Sequence, residues 1–262
     1  MITNRFKYIP ARNKIGAIIR TTDSIERFSL IKSAVDNLLK IDEISLIFVM
    51  IHKPLENSEL RMKLKKEYGH EKKRVEFVNV GFGNFHNDLL NYSFNEQTRR
   101  GIDYSLSISP EAFAYITREN FDKIVESIKN GVLATGLEIK EYKYLMDEGY
   151  FANTFAIYRN FAISFADIWN IQGLTKRNSE TVVTSFGMEE LYAIKRILEV
   201  YGKGSVEIVS PINGEMTYIE DKNSEEWRQR EMILKTKMDR LKKLQQALEI
   251  DPVEFKKMII YR

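Results

Sequence analysis

The residues able to do chemistry gather in short polar segments that follow apolar runs. Arg20, Thr21, Thr22 and Asp23 close the first run. They set a cation, two hydroxyls and a carboxylate just ahead of a helix start, a grouping suited to a nucleotide base, ribose or phosphate. His52 and Lys53 follow the second run and could meet phosphate, and a glycine-bearing loop, Gly81 to Asn84, follows the third. Ser109, Pro110 and Glu111 follow the fourth, so that one carboxylate could offer oxygen to a divalent ion. Further on, Glu189 and Glu190 open a helix just past Gly187, where acidic side chains complement the positive end of the helix dipole.

Composition removes many other chemistries. The chain of 262 residues has no cysteine, which excludes disulfide scaffolds, thiolate zinc sites, iron–sulfur clusters and cysteine nucleophiles. Its three histidines, His52, His70 and His86, lie in no ligand spacing, so any metal would be held by oxygen. With 40 basic against 37 acidic residues the formal charge is +3, a balance that gives no reason to expect a nucleic-acid partner. No apolar h-region opens the sequence and no window approaches the roughly 18–20 apolar residues of a membrane span. The expectation is a soluble, cytoplasmic protein.

The elements that must position these groups read as α/β. Ile15 to Arg20 and Ile44 to Ile51 are continuous apolar runs, the pattern of strands buried on both faces of a parallel sheet. Between them Ile25, Phe28, Ile31, Val35 and Leu38 recur at helical spacing, and Asp23 with Glu26 has the spacing of a capping box. The charged segment 56–74 predicts a second helix, Val75 to Val80 a third strand, Leu89 to Arg100 a helix, and Asp103 to Ser109 a fourth strand. Phe121, Ile124, Val125 and Ile128 mark a further helix that ends before Gly131. From Val132 to Arg159 the pieces alternate, which predicts antiparallel or mixed strands. Leu191, Ile194, Ile197 and Leu198 define a clear helix, and Val206 to Pro211 one more short strand. The whole is a mostly parallel central sheet flanked by helices.

Composition shifts after Ser224, which places a domain over residues 1–222 and a helical extension over 223–262. Trp227, Leu234, Leu241 and Leu248 recur every seven residues there, a seam for packing on the domain or for a homodimer through this helix. Asp251, Pro252 and Glu254 cap a short last helix. Ten basic and seven acidic residues follow Ser224, a surplus of 10 − 7 = 3 that leaves peripheral contact with anionic lipid open.

In this order the segments resemble the nucleotide-sugar-dependent glycosyltransferases of the GT-A fold, especially family 2, over roughly Lys14 to Pro211. The stretch from Ala17 to Leu39 resembles the opening strand and helix. The match implies Thr21, Thr22 and Asp23, with Arg20 and Lys53 nearby, as nucleotide contacts. The segment GIDYSLSISPEA resembles the strand leading into the DxD motif, whose carboxylates hold the divalent ion bridging the donor diphosphate. Here that position reads Ser109, Pro110, Glu111, so the resemblance assigns Mg²⁺ or Mn²⁺ to Glu111 and Ser109 with only the last acid represented. Positive side chains such as Arg20, Lys53 or Arg159 are the alternative means of neutralising the diphosphate. GMEELYAIKR resembles the family's acidic segment beside the acceptor, with Glu190 as general base, Glu189 preceding it and Arg196 as the segment's arginine. No segment matches the family's Gly-Gly-Phe-Asp; FADIW, near Asp167, is nearest.

The resemblance implies transfer of a sugar from a nucleoside diphosphate to a hydroxyl of a glycan, lipid or small-molecule acceptor, with inversion. A catalytically degenerate domain that binds nucleotide or glycan is the alternative that the missing acid favours. A nucleotidyltransferase could share the layout, but the chain lacks a glycine- and lysine-rich phosphate loop after its first strand.

Overall fold

Long apolar runs bounded by polar residues become strands here because helices cover both faces of the sheet they enter. The protein is described by a computed structural model over residues 14–52, 56–71, 74–80, 87–140, 143–152, 154–164, 189–212, 223 and 225–262. The strands are β1 (Ile15–Thr22), β2 (Ile44–His52), β3 (Val75–Val80), β4 (Tyr104–Ile108), β5 (Ala134–Leu137), β6 (Phe155–Arg159), β7 (Val206–Val209) and β8 (Ile260–Tyr261). They form one eight-stranded sheet in the order β3-β2-β1-β4-β6-β5-β7-β8. Among the described residues, only β6 opposes its neighbours, running antiparallel to both β4 and β5. Ile18, Ile19, Phe48, Val49, Met50 and Ile51 at the sheet centre are fully buried.

The helices are α1 (Phe28–Leu39), α2 (Glu59–Tyr68), α3 (Asn87–Arg99), α4 (Arg118–Lys129), α5 (Lys143–Met146), α6 (Asn160–Ser164), α7 (Glu189–Tyr201), α8 (Glu225–Ala247) and α9 (Pro252–Met258). Ile31, Ala34, Val35 and Leu38 bury one face of α1, as their spacing predicts. The far end of that helix is capped from outside: the Arg74 guanidinium donates to the carbonyls of Leu39 at 2.8 Å and Ile41 at 2.5 Å. The near end differs from expectation. β1 continues through Thr22, and the chain enters α1 by a 3-10 turn, Ile25–Arg27, whose cap residue Ser24 makes no side-chain cap bond. Asp23 and Glu26 therefore form no capping box; the Asp23 carboxylate accepts instead from the Ser58 hydroxyl. Ser58 is the N-cap of α2 and accepts from Arg61 N at 3.1 Å.

The C-terminal segment is built into this sheet. Leu241, Leu244 and Leu248 of α8, and Phe255 and Ile259 beyond it, belong to the same hydrophobic core as the strands. Half of the seven-residue seam thus packs on its own chain; the side chains of Trp227 and Leu234 lie outside the described residues. Asp251 caps α9 as expected, accepting from Val253 N at 2.9 Å. The chain then adds β8, a strand absent from the sequence reading, and the Arg262 guanidinium reaches buried Glu207 of β7 at 3.1 Å. No helix among the described residues is long and apolar enough to cross a membrane.

Close packing of β5 against the chain entering β6 sets the second half of the site. A Cβ on Gly136 would lie 2.5 Å from the Phe151 ring, and Phe151 is fully buried and cannot swing away. Gly136→Ala is therefore expected to destabilise the protein by about 1–3 kcal/mol through overpacking. Urea unfolding checks this, and an unchanged midpoint would contradict the packing described.

Candidate functional site

In an open parallel sheet, ligands collect beyond the carboxyl ends of the strands where the strand order reverses. That point here is the boundary between β1 and β4, which pair in parallel from Ile15 and Tyr104 to Ile19 and Ile108. Just past it, two segments far apart in sequence are joined by charge. The Arg27 guanidinium donates from Nη2 to Glu111 Oε1 at 2.6 Å and from Nε to Thr21 Oγ1 at 3.0 Å. The other Glu111 oxygen accepts from the Ser109 hydroxyl. Glu111 lies in a second 3-10 turn, Pro110–Tyr115, and α1 holds that turn too, through Asn37 Nδ2 donating to Phe113 O at 2.8 Å.

Each sequence-predicted donor-site residue has a definite place. Thr21 is fully buried and belongs to β1, where its hydroxyl also donates to Thr22 O at 3.0 Å. Thr22 is exposed at the strand end, Arg20 is half-buried, and Asp23 is tied to Ser58. Lys53 and the loop at 81–86 lie outside the described residues. Arg159 does not join the group: β6 runs backwards, so Arg159 pairs with Tyr104 at the start of β4, at the opposite edge of the sheet from Glu111. There its guanidinium lies 4.3 Å from the centroid of the Phe161 ring. That arginine is thereby removed from the candidates for neutralising a diphosphate. Arg27, which the sequence reading omitted, takes the central position.

The antiparallel direction of β6 brings a second group to the same edge. Ser109 N donates to Thr154 O at 2.9 Å, so the residues entering β6 run beside the end of β4. Among them Tyr150, fully buried, donates its hydroxyl to Glu190 Oε2 at 2.9 Å. Glu190 stands in the first turn of α7, and because α7 leads into β7, parallel to β5, its start lies at the carboxyl edge of the sheet. The Glu190 side chain is 4% exposed, while that of Glu189 lies outside the described residues. Arg196, a turn and a half along α7, pairs with Glu199 at 2.7 Å.

A divalent ion needs several oxygen ligands at about 2.0–2.6 Å. Glu111 offers both its oxygens already engaged, one by a guanidinium and one by a hydroxyl proton. The described residues contain no group of three or more acidic or histidine side chains that could hold a metal. The donor set around Glu111 and Ser109 thus does not fit a divalent ion in this arrangement.

Known proteins resemble this chain in fold. No protein-family model matches the chain, and no curated protein matches it by sequence. Among solved structures it is similar to the mannosyltransferase PcManGT from Pyrobaculum calidifontis, solved in complex with GDP-Man and Mn²⁺. The TM-score is 0.54 at 13% identity, over 87% of this chain and 66% of that one. It is likewise similar to glucosyl-3-phosphoglycerate synthase from M. tuberculosis, with TM-score 0.54 at 10% identity, covering 92% of this chain and 82% of that one. The fold is of the GT-A type. This chain spans just under two thirds of the length of the mannosyltransferase.

Burial by itself raises the Glu111 carboxyl, but the Arg27 charge and the hydrogen bonds from Ser109, its backbone and Arg27 outweigh it and hold the group below its ordinary value of 4.5. A carboxylate depressed on folding contributes stability that is fully present above the unfolded value and is lost as pH falls through the folded one. Urea midpoints followed downward from pH 5 are expected to fall less steeply for Glu111→Gln than for the unaltered protein. Superimposable profiles would contradict the ion pair.

Proposed function

We propose that the protein transfers a sugar from a nucleoside diphosphate sugar to a hydroxyl acceptor, with inversion at the anomeric carbon. The observation that carries this reading is the cluster of Arg27, Glu111, Ser109 and Thr21 at the adjoining ends of β1 and β4 in a GT-A-type fold. The donor nucleotide lies in that crevice, with Thr22 and Asp23 beside its ribose and base, and its diphosphate faces the Arg27 end. PcManGT, solved with GDP-Man, supports the donor class.

The acceptor hydroxyl approaches from the side of α7. Glu190 takes its proton while the acceptor oxygen bonds to the anomeric carbon and the bond from that carbon to the diphosphate oxygen breaks. The nucleoside diphosphate leaves with the electron pair. A carboxylate fixed in one orientation by Tyr150 and shielded from bulk water suits this role, since proton transfer needs a heavy-atom approach of about 2.6–3.2 Å. The acceptor, whether glycan, lipid or small molecule, is drawn from the hydroxyl-bearing class alone. A second reading, a domain that binds the donor without transferring it, is favoured by the single acid at the DxD position, Glu111.

Glu190→Gln separates the two. It is expected to lower transfer, or hydrolysis of the bound donor, by about 10²–10⁴-fold while nucleotide affinity is kept. A screen of nucleotide sugars by thermal shift and product release identifies the donor for this comparison. Turnover unchanged in the variant would remove Glu190 as the base; a donor that binds and never turns over would favour the second reading.

A further inference from the structure

We propose that Arg27 is the cation that binds the donor diphosphate in this protein, standing where a DxD site sets a divalent ion, so that nucleotide binding requires no metal. The proposal rests on the donor site proposed above and goes beyond it by naming the group that meets the diphosphate.

Position comes first. The crevice between the ends of β1 and β4 is where an open α/β sheet receives a ligand, and Arg27 spans it, bonded to Thr21 on one strand and to Glu111 just past the other. The bond to Glu111 occupies the oxygen a metal would need. An ion about 2.1 Å from Oε1 would have to displace the guanidinium or sit against its positive charge.

Charge points the same way. Two DxD carboxylates with a dication sum to zero, as do one carboxylate, Glu111, and one monocation, Arg27. Loss of one acid together with exchange of a dication for an arginine therefore leaves the net charge presented to the diphosphate unchanged. The serine in place of the first acid also has a use, because its hydroxyl satisfies the Glu111 oxygen that Arg27 leaves over.

Donor geometry completes the argument. Arginine stays charged at any working pH, and its planar fork matches two phosphate oxygens at once. Nε and Nη2 are spent on Thr21 and Glu111, which fixes the plane of the fork. Among the described residues no bond to Nη1 is present, and the side chain is 28% exposed, so donors remain on the accessible side. Thr21, fully buried, and Glu111 act as positioning residues for the guanidinium.

The test measures binding of UDP and GDP to the full chain by calorimetry, once in EDTA and once in Mn²⁺. One of the two is expected to bind with the same affinity in both. Arg27→Gln, checked for folding by its thermal midpoint, is expected to weaken that binding by at least about tenfold, the loss of a charged hydrogen bond. Glu111→Gln keeps the side-chain shape but loosens the hold on the guanidinium; binding in EDTA is expected to persist, weakened by less than about tenfold, a result that stands even if the Arg27 variant fails to fold. Binding seen only with Mn²⁺ and lost in Glu111→Gln would overturn the proposal and leave the donor site standing. Binding in EDTA that Arg27→Gln does not weaken would reduce Arg27 to a structural brace. Absence of binding by either nucleotide, from folded protein in both buffers, would instead remove the donor site itself.

Discussion

Arg27 and Glu111 are 84 residues apart in the chain, yet their side chains meet at 2.6 Å over the ends of neighbouring strands. Both are partly exposed, at 28% and 31%, so solvent weakens the attraction and the pair's pH-dependent share of global stability is modest. Its effect is positional. It pins the turn that leads into α1 against the turn that follows β4, and α1 reinforces the contact through Asn37. The same turn carries Asp23, which reaches Ser58 at the start of α2. Three connections that would otherwise wander independently are thereby held at one edge of the sheet.

The second carboxylate is positioned by strand direction instead of charge. Only because β6 opposes β4 does the chain arrive at the carboxyl edge with Tyr150, where a parallel strand would begin at the far side. Tyr150 then fixes Glu190, and the neighbouring Phe151 packs over Gly136 so closely that no side chain fits there. The site has two halves of different character: a charged, partly exposed clasp that suits a diphosphate, and a buried carboxylate that suits a proton. The proposed transfer uses both, and both lie at the carboxyl edge of one sheet.

The parallel strands were legible in the sequence because burial on both faces demands unbroken apolar runs, and Ile15 to Arg20 and Ile44 to Ile51 supply them. Helix α7 was legible from its apolar stripe and α9 from its Asp251 cap. The entry to α1 was misread, since the spacing of Asp23 and Glu26 fits a capping box while tertiary contact with Ser58 claims Asp23. β8 gave no signal, being two residues long with both side chains exposed. The alternation from Val132 to Arg159 predicts antiparallel or mixed strands without showing which of them reverses, and it is the reversal of β6 that carries Arg159 away from the site. Arg27 passed unnoticed for the complementary reason: its partner is distant in sequence, and a basic residue near a helix start contradicts the usual dipole preference. That local conflict was the available clue, since a cation set against the dipole calls for a compensating anion.

The central claim is that the ends of β1 and β4 receive a nucleoside diphosphate with its phosphates against Arg27. A crystal structure of the full chain with the nucleoside diphosphate that binds it, grown in EDTA, tests this most directly. The account predicts phosphate oxygens within hydrogen-bond distance of the Arg27 guanidinium, with Glu111 still paired to it. Nucleotide bound at another edge of the sheet, or phosphates in the crevice with Arg27 turned away from them, would contradict it.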